Sequence, residues 1–270
     1  MMFIYPLFFL FCGMIIGSFV NVLVVRLPLK ESIAWPRSHC RSCNHTIAWT
    51  DNLPVVSYFV LQGKCRHCSA RFSVRYPIIE LICGVLFLAS GIQFGGFQTG
   101  MDLHVFLRTW PFLGILLAVT FIDLEHRIIP DALSLGGLAL GLVTSPLDPD
   151  VSWIGSLFGA GLGFGLFYLL AWIYERLTHR QGLGGGDIKL LSMIGAFLGP
   201  SGIMTTLLVG SVFGSVVGIF IGIKNWQSDP ERLLLTAIPF GPFLVLGAIY
   251  HFLLGGGGWF PNLPVELFFR

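Results

Sequence analysis

Long apolar segments separated by short polar turns constrain the fold of this chain most. Eight segments can be identified, at about residues 3–25, 77–96, 105–122, 131–146, 151–174, 187–200, 201–223 and 235–254. A bilayer core offers no water to backbone N–H and C=O groups, so only helices and closed barrels can span it. A helix needs about 20 residues to cross a core of ~30 Å. The sequence therefore predicts an all-α, polytopic membrane bundle with about eight membrane segments.

Two of the segments, the fourth and the sixth, are shorter than a spanning helix. We expect them inside the bundle rather than facing lipid along their full length. Composition agrees with a membrane location, because only 11% of the residues are charged, whereas soluble domains average about 25%. The first segment lacks a basic start and its apolar run is too long for a cleaved signal peptide, so we expect a retained helix.

The distribution of Lys and Arg predicts the orientation. If residues 26–77 are cytoplasmic, the loops on that side hold all of the 16 Lys and Arg residues except Arg108 and Arg270. Cytoplasmic loops are enriched in these residues. The N-terminus is then outside, and Asp123 and Asp187 lie near the cytoplasmic face of the membrane.

Residues 26–77 form the one stretch with the character of a soluble insert, rich in turn formers and basic residues. We therefore predict three parts: a first membrane helix over 1–25, a cytoplasmic insert over 26–77, and a helical bundle over 78–270 that carries both aspartates. Glycines spaced four residues apart, in 155–163 and 210–218, predict close helix packing.

Four cysteines in the insert form two CxxC pairs, Cys40 with Cys43 and Cys65 with Cys68. This spacing is typical of a four-thiolate zinc site. Two disulfides or a redox pair are the alternatives, and the reducing cytoplasm disfavours disulfides. Since four thiolates close a tetrahedron, the predicted zinc ion is structural.

Two aspartates stand where apolar segments meet polar turns. Asp123 ends the third segment, and Asp187 follows Gly184, Gly185 and Gly186. A carboxylate near hydrocarbon is a functional hypothesis by default. Two of them can share peptide hydrolysis, one ionised to take a proton from water and one protonated to polarise the carbonyl. Alternatively, each caps a helix or pairs with a nearby Arg127 or Lys189.

The glycines before Asp187 leave room for a substrate backbone beside the carboxylate. A phosphate-binding loop is the other interpretation, but no G-x-x-x-x-G-K-[ST] pattern is present and an aspartate would repel an anion. Asp131 follows Pro130 at a predicted helix start, where the helix dipole favours a negative charge. Both a structural and a chemical role are open for Asp131.

An ordered set of motifs resembles the bacterial type IV prepilin peptidases, which are GxGD membrane aspartic proteases. The motifs are Gly17-Ser18-Phe19-x-Asn21-Val22 with Arg26-Leu27-Pro28, the two CxxC pairs with Asp51-Asn52-Leu53-Pro54 between them, Arg75-Tyr76-Pro77-x-x-Glu80, Asp123 with Ile129-Pro130-Asp131, and Gly184-x-Gly186-Asp187.

The resemblance implies an enzyme of the bacterial inner membrane that serves type IV pili or type II secretion. It would remove the basic leader of prepilins or pseudopilins after glycine and then methylate the new amino terminus with S-adenosylmethionine. Asp123 and Asp187 would be catalytic, with Gly184, Gly186 and Asp131 supporting the catalytic loop. For the methyl donor we expect Gly63, Lys64 and Glu80, and we expect no nucleic-acid partner. The alternatives for these three residues are a turn glycine, a lysine that extends to the membrane surface and a buried carboxylate paired with Arg75.

Two other functions are compatible with parts of the pattern. A transporter or channel could use Asp123 and Asp187 to carry protons or cations. However, the acids lie at the membrane edge and no internal repeat is visible. A zinc-anchored membrane adaptor without chemistry is the second alternative.

Overall fold

A computed structural model describes residues 4–93, 105–148, 150–179, 182–226 and 239–254. Apart from turns, short 3-10 and π segments and two isolated β-bridges, the described residues form eight α-helices. These are α1 Ile4–Arg26, α2 Val56–Val60, α3 Arg75–Gln93, α4 Trp110–His126, α5 Asp131–Thr144, α6 Trp153–Thr178, α7 Gly185–Trp226 and α8 Gly241–Leu253. The chain divides into two compact units, Met1–Ile122 and Asp123–Arg270, called unit 1 and unit 2 below.

The eight predicted apolar segments coincide with seven of these helices. The sixth and seventh segments are the two halves of α7, which bends at Gly199 (φ 68, ψ −171), directly before Pro200. Pro200 has no N–H to continue the helical hydrogen bonds, and glycine tolerates a left-handed φ. Residues 3, 94–96 and 235–238 of the predicted segments lie outside the described residues.

Five of the described helices have the length and apolar composition of membrane spans. The stretches long and apolar enough to cross a bilayer are Tyr5–Arg26, Arg75–Ile92, Phe106–His126, Trp153–Thr178 and Gly185–Ile223. The predicted all-α, multi-pass membrane fold is therefore confirmed. The predicted division into 1–25, 26–77 and 78–270 stays a prediction. It is based on the polarity of the sequence, whereas the two units are defined by the contacts within each.

Glycines bring α1 and α3 of unit 1 into close contact. A Cβ atom on Gly13 would lie 2.7 Å from the Cβ of Phe87, and one on Gly17 would lie 2.6 Å from the Cα of Glu80. Any larger side chain would push the two helices apart. This packing sets the polar residues of α1 beside Glu80.

The polar insert of unit 1 is attached to the end of α1 by Arg26. Its guanidinium is buried and donates hydrogen bonds to the carbonyl oxygens of Ser32 (2.8 Å) and Pro36 (2.7 Å). Within the insert, Arg66 donates two hydrogen bonds to the carboxylate of Asp51, at 2.8 and 2.6 Å. These bonds hold the pKa of Asp51 below its usual value.

Small residues also join α6 and α7 of unit 2. Gly159 and Gly195 face each other so closely that neither position has space for a Cβ atom. The Ser156 hydroxyl donates to the carbonyl oxygen of Ala196 (2.5 Å), and the Ser192 hydroxyl donates to that of Ala160 (2.9 Å). The close packing predicted for the 155–163 glycines is confirmed at Gly159.

The two short apolar segments are placed differently. The first half of α7 is buried from Leu190 to Leu198, as expected for the sixth segment. In α5 a stripe that includes Leu133, Gly137 and Gly141 is buried, whereas Val143 is 77% exposed. The fourth segment therefore has one buried face and does not lie wholly inside the bundle.

Candidate active site

Asp123 lies near the end of α4 and is buried, with 6% of its surface exposed. The helix ends just beyond it, where Arg127 adopts a left-handed φ of 55° and its N–H donates to the carbonyl oxygen of Asp123 (2.9 Å). The carboxylate is therefore directed by a helix end rather than by a flexible loop.

Gly241 is a partner of Asp123 that the sequence analysis missed. Its N–H donates to Asp123 Oδ2 at 3.1 Å, and it is the first residue of α8. A helix N-terminus carries partial positive charge and free N–H groups, so it stabilises a carboxylate. A Cβ atom on Gly241 would lie 2.6 Å from Asp123 Oδ2. The signal available in the sequence was Gly241-Pro242 before an apolar run, which is typical of a helix start.

Asp187 lies in the first turn of α7 and is half-buried. Its N–H donates to the carbonyl oxygen of Gly184 (3.1 Å). A Cβ atom on Gly184 would lie 3.1 Å from Asp187 Oδ2, and one on Gly186 would lie 2.9 Å from the Cβ of Ile129. A Cβ atom on Gly185 would have no described atom within 4 Å, so this side of the turn is open. Space, rather than an unusual φ, is thus what these glycines provide.

The two carboxylates belong to one site in unit 2. Ile129 lies 2.9 Å from where a Cβ atom of Gly186 would be and 3.4 Å from where one of Gly241 would be. Gly186 precedes Asp187 in the chain, and Gly241 bonds to Asp123. The charge of Asp123 acts electrostatically on Asp187. Two acidic groups within electrostatic reach, one held by a helix N-terminus and one beside an open glycine turn, can divide the tasks of a general acid and a general base.

Asp131 forms an ion pair with Lys189, with 2.6 Å between Oδ1 and Nζ. Its side chain is 61% exposed. The pair joins the first turn of α5 to the first turn of α7, which carries Asp187. This contact supports a structural role for Asp131, in holding the turn that positions Asp187.

The four insert cysteines come together in unit 1. The sulfur atoms of Cys40, Cys43, Cys65 and Cys68 all lie within 4.8 Å of one another, and those of Cys40 and Cys68 are 3.7 Å apart. Four ligands at about 2.3 Å around a tetrahedral zinc ion would be separated by about 3.8 Å. Backbone hydrogen bonds from Cys43 and Ser42 lower the pKa of Cys40 to about 6. This favours the thiolate form that binds metal.

The two CxxC pairs adopt the same local structure. The N–H of the residue after the second cysteine donates to the carbonyl of the first, from Asn44 to Cys40 (2.8 Å) and from Ser69 to Cys65 (3.0 Å). Asn44 and Ser69 both have left-handed backbones, with φ of 55° and 57°. Each of these matched turns contributes two thiols to the cluster. Four cysteine sulfur atoms are a ligand set that fits Zn²⁺.

A cavity of about 830 Å³ lies between α1, α3 and the insert, within unit 1. Pockets for drug-sized ligands have volumes of about 300–1,000 Å³. Two of the residues expected at a methyl-donor site, Gly63 and Glu80, line this cavity. Asn21 also lines it, and its buried Oδ1 has no hydrogen-bond partner within the described part of the chain. Lys64 is exposed and does not line it. Apolar walls, acceptors and arginines fit the apolar, amino and carboxylate groups of S-adenosylmethionine.

Comparison with known proteins places both units in one group. The model of the bacterial peptidase A24 N-terminal domain matches residues 11–94, and that of the type IV leader peptidase family matches residues 110–219. The prepilin leader peptidase/N-methyltransferase of Stutzerimonas stutzeri is 34% identical, over 93% of this chain and 92% of its own length.

Two further relatives carry the same name. The Pseudomonas aeruginosa protein is 34% identical over 93% of this chain and 92% of its own length. The Aeromonas hydrophila protein is 36% identical over 93% of this chain and 91% of its own length. No solved structure matches significantly. The two family models and these relatives together account for nearly the whole sequence, and the chain belongs to the type IV leader peptidase family.

Proposed function

We propose that this chain is a prepilin leader peptidase and N-methyltransferase, in which unit 2 cleaves the substrate. The observation that carries the proposal is the pair of aspartates, Asp123 and Asp187, on helix ends of one unit and within electrostatic reach of each other. The names of the relatives support it. Nothing favours a transporter, and an adaptor would need neither carboxylate.

The two carboxyl groups hold one proton between them in this mechanism. The ionised group takes a proton from water, whose oxygen attacks the carbonyl carbon of the substrate peptide bond. The protonated group donates to the carbonyl oxygen, and a proton then passes to the leaving amine as the C–N bond breaks. The pair titrates jointly, so neither acid has a fixed role. No covalent intermediate forms on the enzyme.

The glycine turn gives the substrate its approach. Since Gly185 faces open space, a backbone without a bulky side chain can lie beside Asp187. A substrate glycine at the cleaved bond would fit here without displacing any neighbour. The distribution of Lys and Arg supports a site at the cytoplasmic face and an N-terminus outside. A basic leader would then lie in the cytoplasm while the apolar segment of the substrate stays in the membrane.

Zinc bound by the four cysteines is structural in this proposal. Four thiolates leave no open coordination position, so the ion activates no water. It joins the two CxxC turns, and Cys40 also lines the cavity of unit 1. The metal thus shapes the insert side of that cavity.

The cavity of unit 1 is where we place the methyl donor. Gly63 lines it with a left-handed φ of 65°, and its Cβ position is filled by the ring of Tyr58, at 2.9 Å. Bound there, S-adenosylmethionine supplies an electrophilic methyl group, and the carboxylate of Glu80 supplies a negative charge. Lys64 has no contact with this cavity, so its contribution would come from the rim.

Replacing Asp123 or Asp187 by Asn tests the dyad. We expect cleavage of a detergent-solubilised prepilin to fall by at least about 10³-fold in each variant, because one proton-transfer group is lost. The amount of protein in the membrane should not change. Glu175→Gln, an exposed carboxylate of the same unit, is the control and should cleave normally. Full cleavage by either aspartate variant would refute the mechanism.

Replacing Gly241 by Ala tests the helix N-terminus that holds Asp123. The new methyl group would displace the carboxylate, and loss of a hydrogen bond to a charged group costs about 1.5–3 kcal/mol. We expect cleavage to slow by about tenfold or more, measured as initial rate. Gly165→Ala, in open space on α6, should cleave at the normal rate. Equal rates for both variants would show that the contact has no catalytic importance.

Metal analysis tests the cysteine cluster. The purified protein should contain about one zinc ion per chain by mass spectrometry of the metal, and Cys40→Ser or Cys65→Ser should lower this to near zero. Cys12→Ser, which changes a cysteine of α1, should keep the metal. Zinc that persists in both insert variants would place it elsewhere.

A bulky residue at Ala34 tests the donor cavity, because Ala34 lines it. S-adenosylhomocysteine should bind the purified protein, and Ala34→Trp should weaken binding at least about tenfold by calorimetry, since the indole occupies part of the volume. Ala48→Trp adds the same group on an exposed insert position away from the cavity and should bind normally. Equal affinity for both variants would locate the donor outside this cavity.

A further inference from the structure

The cavity of unit 1 is lined by two walls. The wall formed by membrane helices has hydrogen-bond acceptors at Ser18 and Asn21 of α1 and Glu80 of α3, with Arg26 and Arg75 at the ends of these helices that meet the insert. The wall formed by the insert has three arginines, Arg37, Arg41 and Arg71, together with Asp51, whose carboxylate Arg66 holds. A ligand that carries N–H groups suits the first wall, and one that carries a carboxylate suits the second.

The side-chain oxygen of Asn21 can accept a hydrogen bond, and no described residue donates one to it. Its side chain is fixed, because Nδ2 donates to the carbonyl oxygens of Gly17 (3.3 Å) and Tyr76 (3.1 Å). Among the residues that the structure describes, none donates a hydrogen bond to its Oδ1, and Asn21 is only 3% exposed. A buried, unpaired acceptor costs about 1–3 kcal/mol. A ligand N–H that reached this oxygen would remove the cost.

Glu80 holds the loop beside the cavity. Its Oε2 accepts a hydrogen bond from the N–H of Val55 (2.7 Å), and the Ser18 hydroxyl also bonds to this carboxylate. Val55 has φ 62 and ψ −50, a strained backbone for a β-branched residue, which costs about 1–3 kcal/mol. Gly17 packs against Glu80, which brings α1 against α3 here, and Ser18, Asn21 and Glu80 all line the cavity.

We propose that Asn21 and Glu80 form the subsite for the primary amine that receives the methyl group, and that the arginine wall faces the donor. This inference rests on the proposed donor cavity. An alkylammonium group has three N–H donors, which a carboxylate and a carbonyl oxygen can accept. The arginines, by contrast, suit the carboxylate of the donor.

The geometry of α1 explains how the amine arrives. The cavity is lined along α1 from Phe11 to Arg26, which is ~22 Å of helix. Phe11, Ile15 and Phe19 lie on this lining and are about half exposed. An apolar segment that stays in the membrane can follow this face and bring its terminal amine to Asn21 and Glu80. The water-soluble donor enters from the insert.

The transfer step balances with the groups named. The ammonium gives one proton to the Glu80 carboxylate and becomes a neutral amine. Its nitrogen lone pair forms a bond to the methyl carbon, while the electron pair of the carbon–sulfur bond stays on sulfur. The product is a methylammonium and S-adenosylhomocysteine, and Glu80 returns its proton to water.

Glu80→Gln and Asn21→Ala test the subsite in the full-length protein. Gln keeps an oxygen for the Val55 N–H, so the loop stays in place. With a peptide that begins at the residue after the leader glycine, we expect kcat for methylation to fall about 100-fold in Glu80→Gln. In Asn21→Ala, KM for this peptide should rise about tenfold. In both variants the Kd of S-adenosylhomocysteine should stay within twofold, and prepilin cleavage should be unchanged.

Ser90→Ala is the matched control. Ser90 is a buried polar residue of α3 whose hydroxyl bonds to the carbonyl oxygen of Phe87, and it does not line the cavity. It should methylate normally. Normal methylation in both test variants, or a tenfold weaker S-adenosylhomocysteine affinity with an unchanged peptide KM, would overturn the amine assignment. If Ala34→Trp leaves S-adenosylhomocysteine binding intact, the donor cavity fails, and the amine subsite with it.

Discussion

The proposed hydrolysis depends on keeping a carboxylate charged among apolar helices. A charged residue near the centre of a membrane helix costs about 2.5–3.5 kcal/mol on insertion scales. A hydrogen bond from an amide to a charged group contributes about 1.5–3 kcal/mol, and a helix N-terminus adds about 0.3–1 kcal/mol. The N–H of Gly241 at the start of α8 provides both to Asp123. This contact thus offsets part of the cost of placing an acid there.

Glycine has three separate physical roles in positioning the chemistry. At Gly241 and Gly184 the absent side chain leaves space for a carboxylate oxygen. At Gly17 and Gly159 it lets two helices touch along their backbones, because apolar lipid gives them no hydrophobic reason to associate. At Gly199 it permits the backbone angle that bends α7. A single residue type therefore serves the site, the packing and the shape of the helices.

In the proposed function, the two activities that the family name implies belong to different units. The aspartates and their helix ends belong to Asp123–Arg270, and the thiol cluster and the cavity belong to Met1–Ile122. Each group of reactive residues therefore has its own supporting contacts. Hydrolysis needs water beside a pair of acids, whereas methyl transfer needs an amine shielded from competing protons. Separate sites meet these different requirements.

The sequence by itself determined the membrane class, the helix positions, the four thiol ligands and the two candidate acids, because apolar length, CxxC spacing and charge near hydrocarbon are local properties. It did not reveal that Gly241 holds Asp123, that Asp131 pairs with Lys189, or that Asn21 and Glu80 line one cavity. Residues far apart in the chain make these contacts. Only the packing of helices brings them within hydrogen-bond distance, so only the tertiary structure could decide them.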